Sequence, residues 1–275
     1  MQRKFFELTT SAASQKNSAC DPTPPFSVLQ PDDLELSCLA FRKAQNVSLE
    51  NVFGFLGPEQ LEKAQLLAQE IRKKSDNLKI TLGAGPSATS LPGGILTDIP
   101  LVDILNATKL AALLPEGSVH VLVASHVFEH LTYPQALTAL QNVRCLLHPE
   151  TGNFRLAVPD AYHVDAYYRK KKVRDRFPDG VFHDANMDYP GHRALWTEPK
   201  LARLASFAGL ATRPLEWFIT NHNNNGGPFC HDGDYLYATE QEYGRIVRSL
   251  HRGRTDPEHP FQRTSLIVDL RPLKL

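Results

Sequence analysis

Leu78-Lys-Ile-Thr-Leu-Gly-Ala-Gly85 decides how the rest of the chain is read, because it is a buried β-strand that runs straight into a glycine turn. A second apolar strand, Val119-His-Val-Leu-Val-Ala-Ser125, follows and ends on His126-Val-Phe-Glu-His130. At the open end of a parallel sheet, backbone N–H groups and loops face one crevice, and glycine lets a ligand approach the backbone where any Cβ would collide. The two strands together point to a nucleotide-type ligand site.

Working outward, strands are predicted at 78–82, 94–99, 119–124, 153–158, 214–219 and 265–270, with helical patterns between them. That alternation is the signature of an α/β sheet. Thr132-Tyr-Pro-Gln135 has the threonine and glutamine of a capping box with proline in the first turn, and opens a helix through Leu147. Pro199 to Gly209 predicts a second helix that stops on its glycine. Upstream, Pro58 starts an apolar stripe at helical spacing. We therefore expect a loose arm over 1–31, a helical segment over 32–75 and one α/β domain over 76–275. Two stretches, 161–196 and 221–263, break the alternation, and each follows the carboxyl end of a strand. In a parallel sheet both would fall over the crevice of the glycine turn, as walls or lids.

Composition narrows the function classes. The chain has 275 residues, enough to bury a large core, and its 30 basic residues balance 30 acidic ones. A net charge near zero supplies no general attraction to nucleic acid or to an acidic membrane surface. Cys20, Cys38, Cys145 and Cys230 are far apart with no C-x-x-C pairing, so neither a zinc knuckle nor a disulfide framework is expected, and a reducing compartment is. No apolar run approaches the roughly 18 to 20 residues that span a bilayer. Arg3-Lys4 leads only into Phe5-Phe6-Glu7, too short and polar for a signal-peptide core, so we expect a cytoplasmic protein with no membrane partner.

Gly83-Ala-Gly85-Pro-Ser-Ala88 satisfies the dinucleotide pattern G-x-G-x-x-A, but the segment 86–93 before the next strand holds two prolines and a glycine. It cannot form the long helix of an NAD fold. Instead, Leu82-Gly-Ala-Gly85, Leu96-Thr-Asp98-Ile99, Leu105-Asn106-Ala107-Thr108, Ala124-Ser-His-Val-Phe-Glu-His-Leu131 and Ala157-Val-Pro-Asp160, taken in order, resemble the S-adenosylmethionine-dependent methyltransferases of the Rossmann-like class. The resemblance covers about 78–160 and resumes at 191–209 and 264–272. It implies a seven-stranded, mostly parallel sheet with an antiparallel last hairpin, the strand at 265–270 lying beside the fifth. It also implies S-adenosylmethionine as cofactor and methyl transfer to a small molecule, most simply at a carboxylate or hydroxyl oxygen.

Carried over residue by residue, the resemblance places Gly83, Ala84 and Gly85 against the methionine part of the cofactor. Asp98 would accept hydrogen bonds from the ribose hydroxyls, a task suited to a carboxylate. Asn106, through its amide, and Ala107, through its backbone, would meet adenine, while Ser125 and His126 would lie beneath the sulfonium. Thr81 and Ser87 stand where related enzymes carry an acidic or amide residue and a third glycine. For a hydroxyl acceptor the candidate general bases are His192, in Gly191-His-Arg-Ala-Leu-Trp196, and His126, with Asp160 as a further candidate.

Competing readings attach to particular residues. His126-Val-Phe-Glu-His130 also matches H-x-x-E-H, an inverted zinc-peptidase pattern. A helix restart at Thr132 denies it the long rigid helix such a ligand pair needs, so no metal ligand is expected and Glu129 and His130 are read as locking the turn. The run Arg169-Lys-Lys-Lys172, with Arg174 and Arg176, would serve an RNA methyltransferase, although Asp175, Asp179 and Asp184 dilute it. A non-catalytic scaffold with a methyltransferase fold is the remaining alternative. The sequence leaves the oligomeric state open.

Overall fold

A computed structural model describes residues 38–39, 41–83, 91–161, 192–218, 235–237 and 265–273. The expected arm at 1–31, the basic run at 169–176 and most of both insertions lie outside the described residues.

Helix α1 (Leu49–Phe53) starts on Ser48, whose hydroxyl accepts the Asn51 N–H. After the 3-10 turn Gly54–Leu56, helix α2 (Pro58–Lys73) buries Ala64, Ala68 and Ile71, a stripe at the spacing that keeps side chains on one helix face. Its opposite face carries Glu59–Lys63 and Glu70–Lys74 pairs four residues apart. A 3-10 turn at Ser75–Asn77 leads into strand β1 (Leu78–Leu82). Then follow β2 (Ile95–Leu96), helix α3 (Ala107–Leu113), β3 (Val119–Ser125), the 3-10 turn Phe128–His130 and helix α4 (Tyr133–Leu146). The capping box predicted at Thr132 is formed in both directions with Gln135. The chain closes with β4 (Asn153–Pro159), helix α5 (Glu198–Phe207), β5 (Leu210–Phe218), β6 (Tyr235–Tyr237) and β7 (Ser265–Pro272).

These strands form one seven-stranded sheet in the order β2-β1-β3-β4-β7-β5-β6. The pairings β1–β2, β1–β3 and β3–β4 are parallel, whereas β7 runs antiparallel to both β4 and β5. β6 is antiparallel to β5 at the edge. Only β6 and β7 therefore oppose the common strand direction, and the mostly parallel Rossmann-like sheet with an antiparallel end is the fold expected from sequence. Every residue from Phe154 to Val158 on β4 and from Leu266 to Leu270 on β7 is buried, so side chains on both faces of these strands are covered.

Three boundaries differ from expectation, each for a local reason. The second strand is confined to Ile95–Leu96, because a turn at Gly93-Gly94, with Gly94 N–H on Leu91 O at 2.7 Å, precedes it and Pro100 follows. β5 begins at Leu210 rather than at 214: Gly209, at φ +71°, turns the chain, and Pro214 sits inside the strand where the register with β7 shifts. β6 lies within a stretch expected to be loop.

The cysteine expectation is also corrected, since Cys38 and Cys145 form a disulfide with their Cα atoms 5.4 Å apart. It ties the segment before α1 to the end of α4 across 107 residues of sequence, a separation at which no spacing motif announces a pair. The inference from cysteine usage to a reducing compartment falls with it. Among the described residues no helix is long and apolar enough to cross a membrane.

Candidate functional site

The strand order reverses beside β1: β2 lies on one side of it and β3 on the other. In open α/β sheets such a switch point leaves a crevice at the carboxyl ends of the strands. Register fixes what stands there. Thr81 is level with Leu96 and Val123, and Leu82 with Ala124; beyond these pairs β1 runs into Gly83, β2 into Thr97 and Asp98, and β3 ends on Ser125. Thr97 fastens the end of β2 to β1, donating both its N–H and its hydroxyl to Thr81 O at 2.8 and 2.9 Å. Gly83, Asp98 and Ser125, from three separate sequence blocks, thus stand at or just past the carboxyl ends of β1, β2 and β3.

Gly83 has φ +59°, and an added Cβ would stand 2.5 Å from Val127 Cγ2. Its small size is therefore demanded by the backbone and by Val127, in addition to any ligand. Gly83→Ala combines a left-handed alanine, costing about 1–2 kcal/mol, with overlap on Val127. The expected loss is about 2 kcal/mol or more in urea unfolding; an unchanged midpoint would show that the turn relaxes freely. Ala84 and Gly85 lie outside the described residues.

At the end of β3, His126 adopts φ +58°, the one described non-glycine residue in the left-handed region. Its N–H still donates to Ala157 O at 2.9 Å, so the β3–β4 ladder holds the turn in place. The turn puts His126 Nδ1 2.8 Å from Glu129 Oε1. Glu129 is buried at 1% exposure and its second oxygen, Oε2, has no hydrogen-bond partner among the described residues, whereas the His126 side chain is half exposed.

The segment from His192 to Trp196 returns to this turn from far along the chain. Arg193 and Ala194 N–H groups both donate to the Glu129 carbonyl, at 2.6 and 3.2 Å, and Tyr133 OH donates to Leu195 O at 2.6 Å. His192 is consequently buried with Nε2 4.0 Å from Glu129 Oε1, and its ring meets the His130 ring edge-on at 5.0 Å between centroids. Asp160, just past β4 and fully buried, pairs through its backbone with Trp196, and Ala161 N–H donates to Trp196 O at 2.8 Å. The structure thus brings His126 and His192 together through Glu129, with Asp160 tied to the same returning segment.

On the other side, Asp98 is exposed and its Oδ1 accepts the Ile99 N–H at 2.8 Å. It stands on the rim of a cavity of about 440 Å³ between α2 and β2, lined among others by Leu66, Leu67, Ile95 and Leu101. Asn106 caps α3 by accepting the Lys109 N–H on Oδ1 at 3.0 Å. Ala107 opens the helix, so its N–H is one of the donors with no intrahelical acceptor.

The sequence offers Glu129 as the base of a zinc-peptidase pattern or as a turn lock, and leaves it out of the cofactor and catalytic residues. The signal was present in its spacing to His126 and His130; its burial and its meeting with His192 arise from tertiary structure.

Comparisons with known proteins bear on fold alone. Scans against protein-family models and against curated proteins give no match. Among solved structures, the chain is similar to a SAM-dependent methyltransferase from Archaeoglobus fulgidus, at 11% identity and TM-score 0.39 over 79% of this chain and 95% of that one. It is likewise similar to the 1,6-didemethyltoxoflavin-N1-methyltransferase of Burkholderia thailandensis, at 13% identity and TM-score 0.38 over 90% and 93% of the two chains. A SAM-dependent methyltransferase of Thermotoga maritima, described as a possible histamine N-methyltransferase, gives 10% identity and TM-score 0.37 over 81% and 97%. At these scores the fold rests on strand order and register, which stand by themselves.

Proposed function

We propose that the chain is an S-adenosylmethionine-dependent methyltransferase acting on a small molecule, at a carboxylate or hydroxyl oxygen. The observation that carries this reading is the position of Gly83, Asp98 and Ser125 at or just past the carboxyl ends of three neighbouring parallel strands at the switch point, which supports a crevice edged by a left-handed glycine turn, a carboxylate and a polar strand end. Those residues fit the cofactor in chemistry: two acceptor oxygens for vicinal hydroxyls at Asp98, and donors at Asn106 and Ala107 for a base edge. When bound, the cofactor supplies a methyl group on a sulfonium that is already a good leaving group.

The chain's own residues then have to position the acceptor, exclude water and take a proton where one is released. A carboxylate acceptor releases none. For a hydroxyl, His126 is the better-placed base: its half-exposed ring is held at the end of β3 with Nδ1 2.8 Å from Glu129 Oε1. His192 is deeper, and its contact with the same carboxylate makes it the second candidate.

Calorimetric titration with S-adenosylhomocysteine, with NADH alongside, tests the reading. Micromolar affinity for the first and none for the second is expected. Binding of neither would overturn it in favour of a scaffold, and binding of NADH alone would return the glycine turn to dinucleotide use.

A further inference from the structure

We infer that Glu129, His130 and His192 form a binding site for one divalent first-row transition-metal ion, such as Zn²⁺. The inference does not rest on the methyltransferase reading. One donor atom from each of the three residues lies within 4.8 Å of the other two. Two imidazoles and one carboxylate form a donor set suited to zinc and its neighbours, with at least one coordination position left for water or substrate.

The geometry supports capture over coincidence. A tetrahedral ion with bonds of about 2.0–2.1 Å holds its donors about 3.3 Å apart. The trio therefore closes onto an ion by modest side-chain rotation, which the exposed His130 permits. Glu129 Oε2, buried and without a described partner, is a group for which an ion supplies the missing contact. The site is also braced. His126 Nδ1 holds Oε1 of the carboxylate, the outer hydrogen bond that orients a metal ligand, and the Arg193 and Ala194 N–H groups fasten the His192 segment to the Glu129 backbone.

This arrangement differs from the inverted peptidase pattern suggested by H-x-x-E-H. There, the two histidines of the motif bind the metal and the glutamate acts as base. Here the first histidine supports the carboxylate, the glutamate becomes a ligand, and the third donor comes from His192.

The test is calorimetric titration of chelator-treated full-length protein with ZnCl₂, paralleled by CoCl₂ with visible absorption. One ion per chain is expected, with cobalt bands of a nitrogen and oxygen ligand field. Glu129→Gln and His130→Asn should each weaken Zn²⁺ binding more than His126→Asn, for which a loss of about 10- to 100-fold is expected from its supporting position. His148→Asn, in the separate stacked pair His120–His148, should leave affinity unchanged. No stoichiometric ion, unchanged affinity in Glu129→Gln or His130→Asn, or a loss that follows His148 would overturn the site. If Glu129→Gln does not fold, by far-UV circular dichroism, the variant at exposed His130 decides. Titration of each protein with S-adenosylhomocysteine separates failure of this site from failure of the methyltransferase reading.

Discussion

Replacing Arg155 with methionine is expected to destabilise the fold by about 3–5 kcal/mol, read as a fall in the urea midpoint with the slope unchanged. Arg155 on β4 is directly level with Asp269 on β7, and its Nε and Nη2 each lie 2.6 Å from one carboxylate oxygen. Both side chains are nearly inaccessible, at 5% and 9% exposure. Removing the guanidinium takes both of its hydrogen bonds from a carboxylate buried in the middle of the sheet, which costs more than the pair itself contributes. The double exchange Arg155→Met with Asp269→Leu should therefore recover most of the loss. Arg155→Lys should fall between, since an ammonium cannot form the two parallel hydrogen bonds. If the single exchange costs less than 1 kcal/mol, the pair is not functioning as a buried, desolvated one.

The position of this pair gives it a second consequence. β7 runs against its neighbours on both sides, and a slip of one residue would turn every side chain to the other face. A bidentate pair that closes only when Arg155 and Asp269 are level opposes that slip. β4 ends beside Asp160, so the same pair fixes where the returning segment at Trp196 is anchored.

What the sequence disclosed and what it concealed divide along physical lines. Strands covered on both faces leave near-continuous apolar runs, and β3, β4 and β7 were legible for that reason, whereas β1 shows as the alternation Leu78-Lys-Ile-Thr-Leu82. The cap at Thr132 was legible because both partners lie within one turn. β2 was overread, since the run Gly94 to Ile99 has strand composition but only two of its residues, Ile95 and Leu96, pair as a strand before the turn at Asp98. The Cys38–Cys145 bond, the Arg155–Asp269 pair and the meeting of Glu129 with His192 join residues far apart in sequence, and no local pattern encodes them. Of the candidate site, the strand-end residues were accessible because sheet topology places them; the Glu129 cluster depended on a return path that only the folded chain shows.

Asp98 carries the largest expected effect on binding. If its carboxylate accepts from two hydroxyls of one ribose, Asp98→Ala removes two hydrogen bonds to a charged group, each worth about 1.5–3 kcal/mol. Even at the low end of that range the two together correspond to a loss of roughly 100-fold in affinity for S-adenosylhomocysteine. A local role competes with this one, because Asp98 Oδ1 also accepts the Ile99 N–H and so shapes the turn after β2. Asp98→Asn separates the two. It retains an oxygen for Ile99 but loses the charge and one acceptor, so a turn role predicts near-native binding, whereas a ribose role predicts an affinity much closer to that of the alanine variant. Because Asp98 is exposed, neither exchange should move the unfolding midpoint by more than about 0.5 kcal/mol. Native affinity in Asp98→Ala would remove the ribose assignment, and with it the carboxylate on which the reading of the switch point as a nucleoside site chiefly depends.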